Sequence, residues 1–97
     1  MTRRGVSDLA AIEDLIEIWT FPCETWGVAQ ADRYLESIES ATSQLARTPS
    51  RATPRPELRP GFWSARIGRH VLFFTFDHIE LRVRRVLHAA MDVPRHL

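Results

Sequence analysis

Two stretches in the first half of the chain repeat apolar residues every three or four positions, which places them on one face of a helix. Ser7 or Asp8 can cap the first helix, and Pro22 predicts that it ends by about Thr20. "CETWG" then predicts a connection to a second helix over about residues 28–47. The predicted apolar stripes are Leu9, Ile12, Leu15, Ile16 and Trp19 in the first helix, and Ala31, Tyr34, Leu35, Ile38, Ala41, Thr42 and Leu45 in the second. Two helices joined this closely predict an antiparallel helix hairpin.

The last third of the chain follows the two-residue period of β-strands. "FWSARI" (62–67) and "RHVLFFTF" (69–76) flank Gly68, which suits a tight hairpin turn. "IELRVRRVLH" (79–88) follows a turn at Asp77-His78, with apolar odd positions, except for Arg85, and mostly polar even positions. Residues 2–6 form a further candidate strand that is short or unpaired. The predicted fold is a single α+β domain over residues 1–97, in the order (β)ααβββ, with the helix hairpin packed on an antiparallel sheet.

A segment rich in proline and arginine, "RTPSRATPRPELRP" (47–60), separates the two halves. Its composition predicts extended or polyproline-like backbone without regular pairing. Connections this long are often functional, although a plain surface connection explains the segment as well.

Composition limits the compartment and the cofactors. Cys23 is the only cysteine, so the chain has no internal disulfide, as expected in a reducing compartment. The sequence contains no apolar run long enough to span a membrane, and acidic residues interrupt the N-terminal stretch where a signal peptide would be apolar. We therefore expect a cytoplasmic protein. The histidines and the cysteine lack the spacing of a metal site, and no phosphate-binding glycine motif is present, so we expect no metal and no cofactor.

Charge is distributed unevenly along the chain. Residues 1–46 hold three arginines and eight acidic residues, for a net charge of −5, and residues 47–97 hold ten arginines and four acidic residues, for +6. All thirteen cations are arginine, which suits carboxylate and phosphate partners, although a GC-rich genome also favours arginine codons. Codon usage does not explain why the positive charge lies in one half.

Several arginines in the basic half are candidates to converge on one surface. Such a cluster attracts nucleic acid phosphates or the acidic residues of a protein partner, but it is also consistent with a solvated sheet face. The candidates are Arg59, Arg66, Arg69, Arg82 and Arg84. Arg85 differs because it points where its apolar neighbours point, so we expect it to pair with an acidic residue such as Asp92 or to extend its head to solvent. Histidine side chains are the usual acids and bases near neutral pH, so His88 is a candidate acid or base, or a packing residue at the strand end.

Taken together, these residues resemble the ParE branch of the RelE/ParE toxin superfamily. The resemblance covers nearly the whole chain, in the order of the family. The matching segments are "AIEDLIEIW" (11–19), "WGVAQADRYLESI" (26–38), "LARTP" (45–49), "ELRPG" (57–61), "GRHVLFF" (68–74) and "VRRVLHAAMDVPRHL" (83–97). The structural positions of the shared motif are Trp26, Gly27, Tyr34 and Arg85.

The resemblance implies a single ParE-like toxin domain, the stable half of a type II toxin–antitoxin pair. The implied partner is a ParD-like antitoxin, which would bind DNA on behalf of the complex, and the implied target is DNA gyrase, inhibited by binding. The RelE branch instead cuts messenger RNA in the ribosome, often with a C-terminal tyrosine or histidine. In this chain Tyr34 is the only tyrosine and lysine is absent, which favours the branch without nuclease activity.

Two sets of site residues follow as hypotheses. Arg59, Arg66, Arg69, Arg82 and Arg84 are predicted to face the antitoxin or another anion. The target-facing candidates lie at the C-terminal end of the chain: His88, Asp92, Arg95 and His96. A ribosome-dependent endoribonuclease remains the alternative function, and a chain that only binds its antitoxin is a third.

Overall fold

The computed structural model describes residues 3–91, 93 and 97, and within them the fold comprises two helices and five strands. The elements in chain order are β1 (Arg4–Ser7), α1 (Leu9–Trp26), α2 (Val28–Arg47), a 3₁₀ turn (Pro49–Arg51), β2 (Thr53–Pro54), β3 (Trp63–Ile67), β4 (His70–Phe76) and β5 (Glu80–His88). The predicted α+β class and the helix hairpin are confirmed. Neither helix in this part of the chain is long and apolar enough to cross a membrane.

The five strands form one sheet in the order β1-β5-β4-β3-β2. The pairs from β2 to β5 are antiparallel, as predicted. However, β1 pairs in parallel with β5, with Arg4 opposite Glu80 and Ser7 opposite Val83, so the sheet is mixed. The first strand is therefore short, as expected, but it is paired. Parallel neighbours need a long connection, and here the helix hairpin and the strands β2 to β4 lie between β1 and β5 along the chain.

α1 is longer than the sequence predicted. It continues through Pro22 to Trp26, and Gly27 alone joins it to α2 with a φ of +95°. A proline inside a helix removes one backbone hydrogen bond and costs about 3 kcal/mol. The last turn nevertheless retains its own bonds, because the Thr25 hydroxyl donates to the Phe21 carbonyl and the Gly27 amide donates to the Cys23 carbonyl. The prediction that Pro22 ends the helix by about Thr20 is therefore wrong.

The buried face of α1 also differs from the predicted stripe. Ala11 and Ile18 are buried, whereas Leu9, Ile12 and Ile16 are exposed. The sheet and α2 cover the side of α1 that carries the small Ala11, since a small residue allows closer approach of the backbone. Of the predicted stripe, Leu15 packs against the core. Apolar periodicity therefore indicated the helix correctly, but only part of the predicted stripe is covered. Asp8 occupies the N-cap position, yet its carboxylate makes no capping hydrogen bond.

α2 matches its prediction in both bounds and orientation. Ala31 and Ile38 are buried, and Tyr34 and Leu45 pack at the edge of the core. The apolar core lies between the helix hairpin and one face of the sheet. Its buried members are Ala11, Ile18, Ile38, Ala46, Leu72, Phe74, Leu81, Val83 and Val86.

The proline- and arginine-rich segment is more ordered than predicted. Pro49 is buried at the start of the 3₁₀ turn. Thr53 and Pro54 then pair with Ser64 and Trp63 at the edge of the sheet, which contradicts the expected lack of pairing. An edge strand tolerates proline because one of its sides needs no hydrogen-bond donor.

A β-bulge interrupts the alternation of β5. Phe73 lies opposite Arg85 and Phe74 lies opposite Val83, so Arg84 is the extra residue. Val83 and Val86 consequently share the core face although they are three positions apart. Strict alternation predicted Val86 on the polar face and Leu87 on the core face. The bulge shifts the alternation by one residue, which is why Val86 lies in the core.

Gly68 and Arg69 are the two central residues of the turn between β3 and β4. Gly68 has a φ of +57°, whereas the φ of Arg69 is not positive. A Cβ atom at Gly68 would lie 3.0 Å from the Tyr34 hydroxyl. The predicted hairpin turn is confirmed, and it is tied to α2 through Tyr34.

We expect Gly68→Ala to lower the free energy of unfolding by about 1–2 kcal/mol, because alanine is strained in the left-handed region and crowds Tyr34. Urea unfolding measures the difference. Gly5→Ala is the matched control, since a Cβ atom there has open space around it and Gly5 has no positive φ. Equal losses in the two variants would contradict this account of the turn.

Candidate protein-binding groove

The carboxylate of Asp14 in α1 binds the bulged part of β5. Its two oxygens accept from Nε and Nη2 of Arg85 at 2.8 and 2.9 Å. The oxygen bound to Nε also accepts from the backbone amide of Val86 at 2.9 Å. The side chains of Asp14 and Arg85 are 11% and 25% exposed, so the ion pair is largely buried. The sequence analysis expected Arg85 to pair with an acidic residue such as Asp92 or to extend its head to solvent. Asp14 is such an acidic partner, and Asp92 lies outside the described residues.

A polar cluster lies at the adjoining end of the sheet. The Tyr34 hydroxyl is 2.6 Å from Nδ1 of His70 and accepts from the Arg69 backbone amide at 3.1 Å. The His70 and His88 rings meet edge to face with centroids 5.4 Å apart. The antiparallel pairing of β4 and β5 produces this contact, because His70 lies directly opposite His88.

His70 favours the neutral form in the folded chain. Burial of the ring lowers its pKa, and the nearby His88 and Arg69 lower it further, against a smaller opposing effect of Asp14. His70 therefore contributes little positive charge at neutral pH.

These residues line a groove of about 1010 Å³ between the C-terminal half of α1, the start of α2 and the ends of β4 and β5. Its apolar wall includes the exposed side chains of Phe21, Trp26 and Met91. The rings of Phe21 and Trp26 meet edge to face, with centroids 5.9 Å apart. Large exposed apolar side chains around a concave surface are typical of a binding site for another protein.

The arginines predicted to converge do so only in part. Arg82 and Arg84 meet at Asp8, with nitrogen–oxygen distances of 3.0 and 3.1 Å, and Arg82 also pairs with Glu80. Burial raises the pKa of Asp8, but the hydrogen bonds from both arginines outweigh that effect and lower the pKa below its ordinary value. These side chains are each about a third exposed.

The other three arginines lie in separate places. Arg59 donates to the backbone oxygen of Leu97, and Arg66 donates to the backbone oxygen of Gly68. Arg69 lines the groove. That all five face an antitoxin or an anion remains a prediction.

Of the target-facing candidates, His88 is described and exposed, and its Nδ1 accepts from the Ala90 amide at 3.1 Å. Asp92, Arg95 and His96 lie outside the described residues. Among the motif residues, Trp26 and Tyr34 line the groove and Gly27 joins the helices. The described residues contain no cluster of three or more side chains suited to a metal ion.

Sequence reasoning missed three features of this groove: Asp14, His70 and the exposure of Phe21 and Trp26. Asp14 stands 71 positions from Arg85, and no local pattern signals such a contact. The exposure of Phe21 follows from the continuation of α1 past Pro22, which the sequence analysis did not predict.

Comparisons with known proteins agree with this architecture. A family model described as "ParE toxin of type II toxin-antitoxin system, parDE" matches residues 8–93. The chain belongs to the ParE toxin family. It is 37% identical to Toxin ParE1 of Mycobacterium tuberculosis (strain CDC 1551 / Oshkosh), over the whole length of both chains. It is also 33% identical to Toxin ParE1 of Caulobacter vibrioides over 87% of this chain and 86% of that protein. The resemblance inferred from the sequence is confirmed.

Two solved structures share the fold of this ParE-family chain. One is described as a chromosomal ParDE TA system from P. aeruginosa, with a TM-score of 0.76, 17% identity and coverage of 90% of this chain and 96% of that one. The other is described as the toxin-antitoxin complex RelBE2 from Mycobacterium tuberculosis, with a TM-score of 0.68, 25% identity and coverage of 94% and 95%. At 17% identity, the likeness to the P. aeruginosa structure shows a shared fold and nothing more.

The lowered pKa of His70 predicts a dependence of stability on pH. Protonation of His70 favours the unfolded chain, so its contribution to stability is complete above the ordinary pKa of 6.5 and is lost as the pH falls through the lower folded value. We expect His70→Gln to reduce the loss of unfolding free energy between neutral and mildly acidic pH, measured by urea unfolding. His78→Gln, at an exposed turn position, is the control. An identical pH dependence in wild type and His70→Gln would contradict this.

Proposed function

We propose that this ParE-family toxin inhibits DNA gyrase by binding it, without cleaving RNA, and that a ParD-like antitoxin neutralises it by occupying the groove. DNA would then be contacted only through the antitoxin. Family membership supports the toxin assignment. The observation that favours action by binding over RNA cleavage is that the positive charge of β5 is offset by acidic residues of the same chain.

All three arginines of β5 have acidic partners. Arg82 and Arg84 share Asp8, Arg82 also pairs with Glu80, and Arg85 is bound by Asp14. A site that cleaves RNA without a metal needs free cations to stabilise the charge that develops on the phosphorane. Ion-paired arginines serve that purpose poorly, because their positive charge is offset where they lie. This distribution favours a toxin that acts by binding.

The groove has the chemistry of a protein-binding site. Phe21, Trp26 and Met91 offer apolar contact area, and the neutral His70 with Tyr34 offers hydrogen bonds. Aromatic side chains on a concave surface are frequent anchors for a docked helix or extended segment. Arg69, which lines the groove, would steer a segment that carries carboxylates. These properties match the tail of an antitoxin better than a polyphosphate backbone.

A ribosome-dependent endoribonuclease is the second candidate, favoured by one observation. Tyr34, His70 and His88 form a contiguous cluster in a concave site, and such groups are able to act as acid and base. Arg69 lies beside them as a further cation.

A gyrase assay and a message-cleavage assay together distinguish the two candidate functions. Purified chain added to DNA gyrase, supercoiled plasmid and ATP is expected to produce linear plasmid, and the product of the neighbouring gene is expected to prevent it. Absence of linear plasmid, together with cleavage of a translated message that His88→Ala abolishes, would replace the gyrase proposal with the ribonuclease.

A groove variant tests the antitoxin part. Replacing Phe21 and Trp26 together by alanine removes the exposed aromatic anchors, and we expect affinity for the antitoxin to fall at least about tenfold, since each anchor contributes about 1–2 kcal/mol. Isothermal titration calorimetry measures the affinity. Ile79→Ala is the control, because Ile79 is equally exposed but lies in the β4–β5 turn. Unchanged affinity of the double variant would remove the groove from the proposal.

A further inference from the structure

We propose that the outer face of α1 is a second docking surface, separate from the groove, and that it binds a basic amphipathic helix of a partner protein. The surface centres on Leu9, Ile12 and Ile16, here called the outer stripe. It is the part of the predicted helix stripe that the fold leaves uncovered.

The outer stripe has the spacing of a helix-pairing seam. Its three residues stand three and four positions apart, which aligns them along one side of α1. They are 71%, 44% and 60% exposed, in chain order. Single exposed apolar residues are common on protein surfaces, but three aligned over two helical turns form a continuous apolar strip.

Carboxylates border the outer stripe on both sides. On α1, Glu13 and Glu17 lie one turn apart next to the stripe and are exposed. On α2, Asp32 accepts a hydrogen bond from the indole nitrogen of Trp19 at 2.9 Å, so the Asp32 side of α2 faces α1. Glu36 and Glu39 follow Asp32 at helical spacing and therefore share that side. Both are exposed.

Cations are scarce on the helix hairpin. Within α1 and α2 the basic residues are Arg33, which binds Gln30 one turn away, and Arg47 at the C-terminal end of α2. An apolar strip between two rows of acidic residues is complementary to a helix with an apolar seam flanked by lysine or arginine. The same rows disfavour a second copy of this chain, because symmetric pairing of α1 would bring Glu13 and Glu17 towards like charges.

The outer stripe is distinct from the groove. None of Leu9, Ile12 and Ile16 is among the residues that line the groove, which lies on the side of α1 carrying Asp14 and Phe21. Glu17 lies between the two surfaces and lines the groove. One α1 helix therefore presents two faces of different chemistry, so a helix on the stripe would leave the aromatic anchors open.

The test uses the full chain and a fluorescent synthetic helix of about three heptads, with leucine at the seam positions and lysine at the flanking positions. Fluorescence anisotropy is expected to show binding that weakens as salt rises from about 0.05 M to about 0.5 M. Ile12→Lys with Ile16→Lys is expected to weaken binding at least about tenfold. Glu36→Lys with Glu39→Lys is expected to weaken it and to reduce the salt dependence.

The controls separate this surface from non-specific attraction. Ile79→Lys changes an exposed apolar residue in the β4–β5 turn, outside both helices, and is expected to bind as wild type. A scrambled peptide of the same composition and a peptide with glutamate at the flanking positions are expected not to bind. Circular dichroism should show that the stripe variant is folded. Equal binding by the stripe variant, loss of binding in the Phe21 and Trp26 variant instead, or self-association of the chain that Ile16→Lys abolishes would overturn the proposal.

Discussion

The carboxylate of Asp14 is the contact on which the relation between helices and sheet depends. It binds the guanidinium of Arg85 and the amide of Val86 at the β-bulge, so one side chain of α1 fixes the position of β5. The bulge in turn places Val83 and Val86 together in the core. Removing one partner of a largely buried ion pair costs about 3–5 kcal/mol, much more than an exposed pair. The shape of the groove beside Asp14 follows from the same contact.

Local patterns predicted those parts of the fold that local physics determines. The bounds of α2, the turn at Gly68 and the strands from β3 to β5 follow from apolar periodicity and from the freedom of glycine to adopt a positive φ. The parallel pairing of β1, the covered face of α1 and the partner of Arg85 depend on contacts between distant segments, which periodicity does not encode. The resemblance to the ParE family identified Arg85 as a structural residue, but Asp14 emerged only from the structure.

Charge connects the fold with the proposed functions. The acidic half and the basic half of the chain meet within the fold, where Asp8 and Asp14, together with Glu80 of β5 itself, offset the charge of the three β5 arginines. Positive charge that the sequence presents as a candidate nucleic acid surface is thereby used to hold α1 on the sheet. What remains for partners is an aromatic groove on one side of α1 and an apolar stripe between acidic rows on another. Both surfaces suit protein segments, which is consistent with a toxin that acts through binding.

Amide hydrogen exchange at Val86 tests the role of Asp14 most directly. In wild type, the Val86 amide is expected to exchange only through global unfolding, because it donates to a largely buried carboxylate. In Asp14→Ala it is expected to exchange through local opening, faster than the global stability of that variant allows. Asp8→Ala, which breaks the more exposed pair, should leave the exchange of Val86 tied to global unfolding. Exchange of Val86 that still follows global unfolding in Asp14→Ala would contradict the central role of this carboxylate.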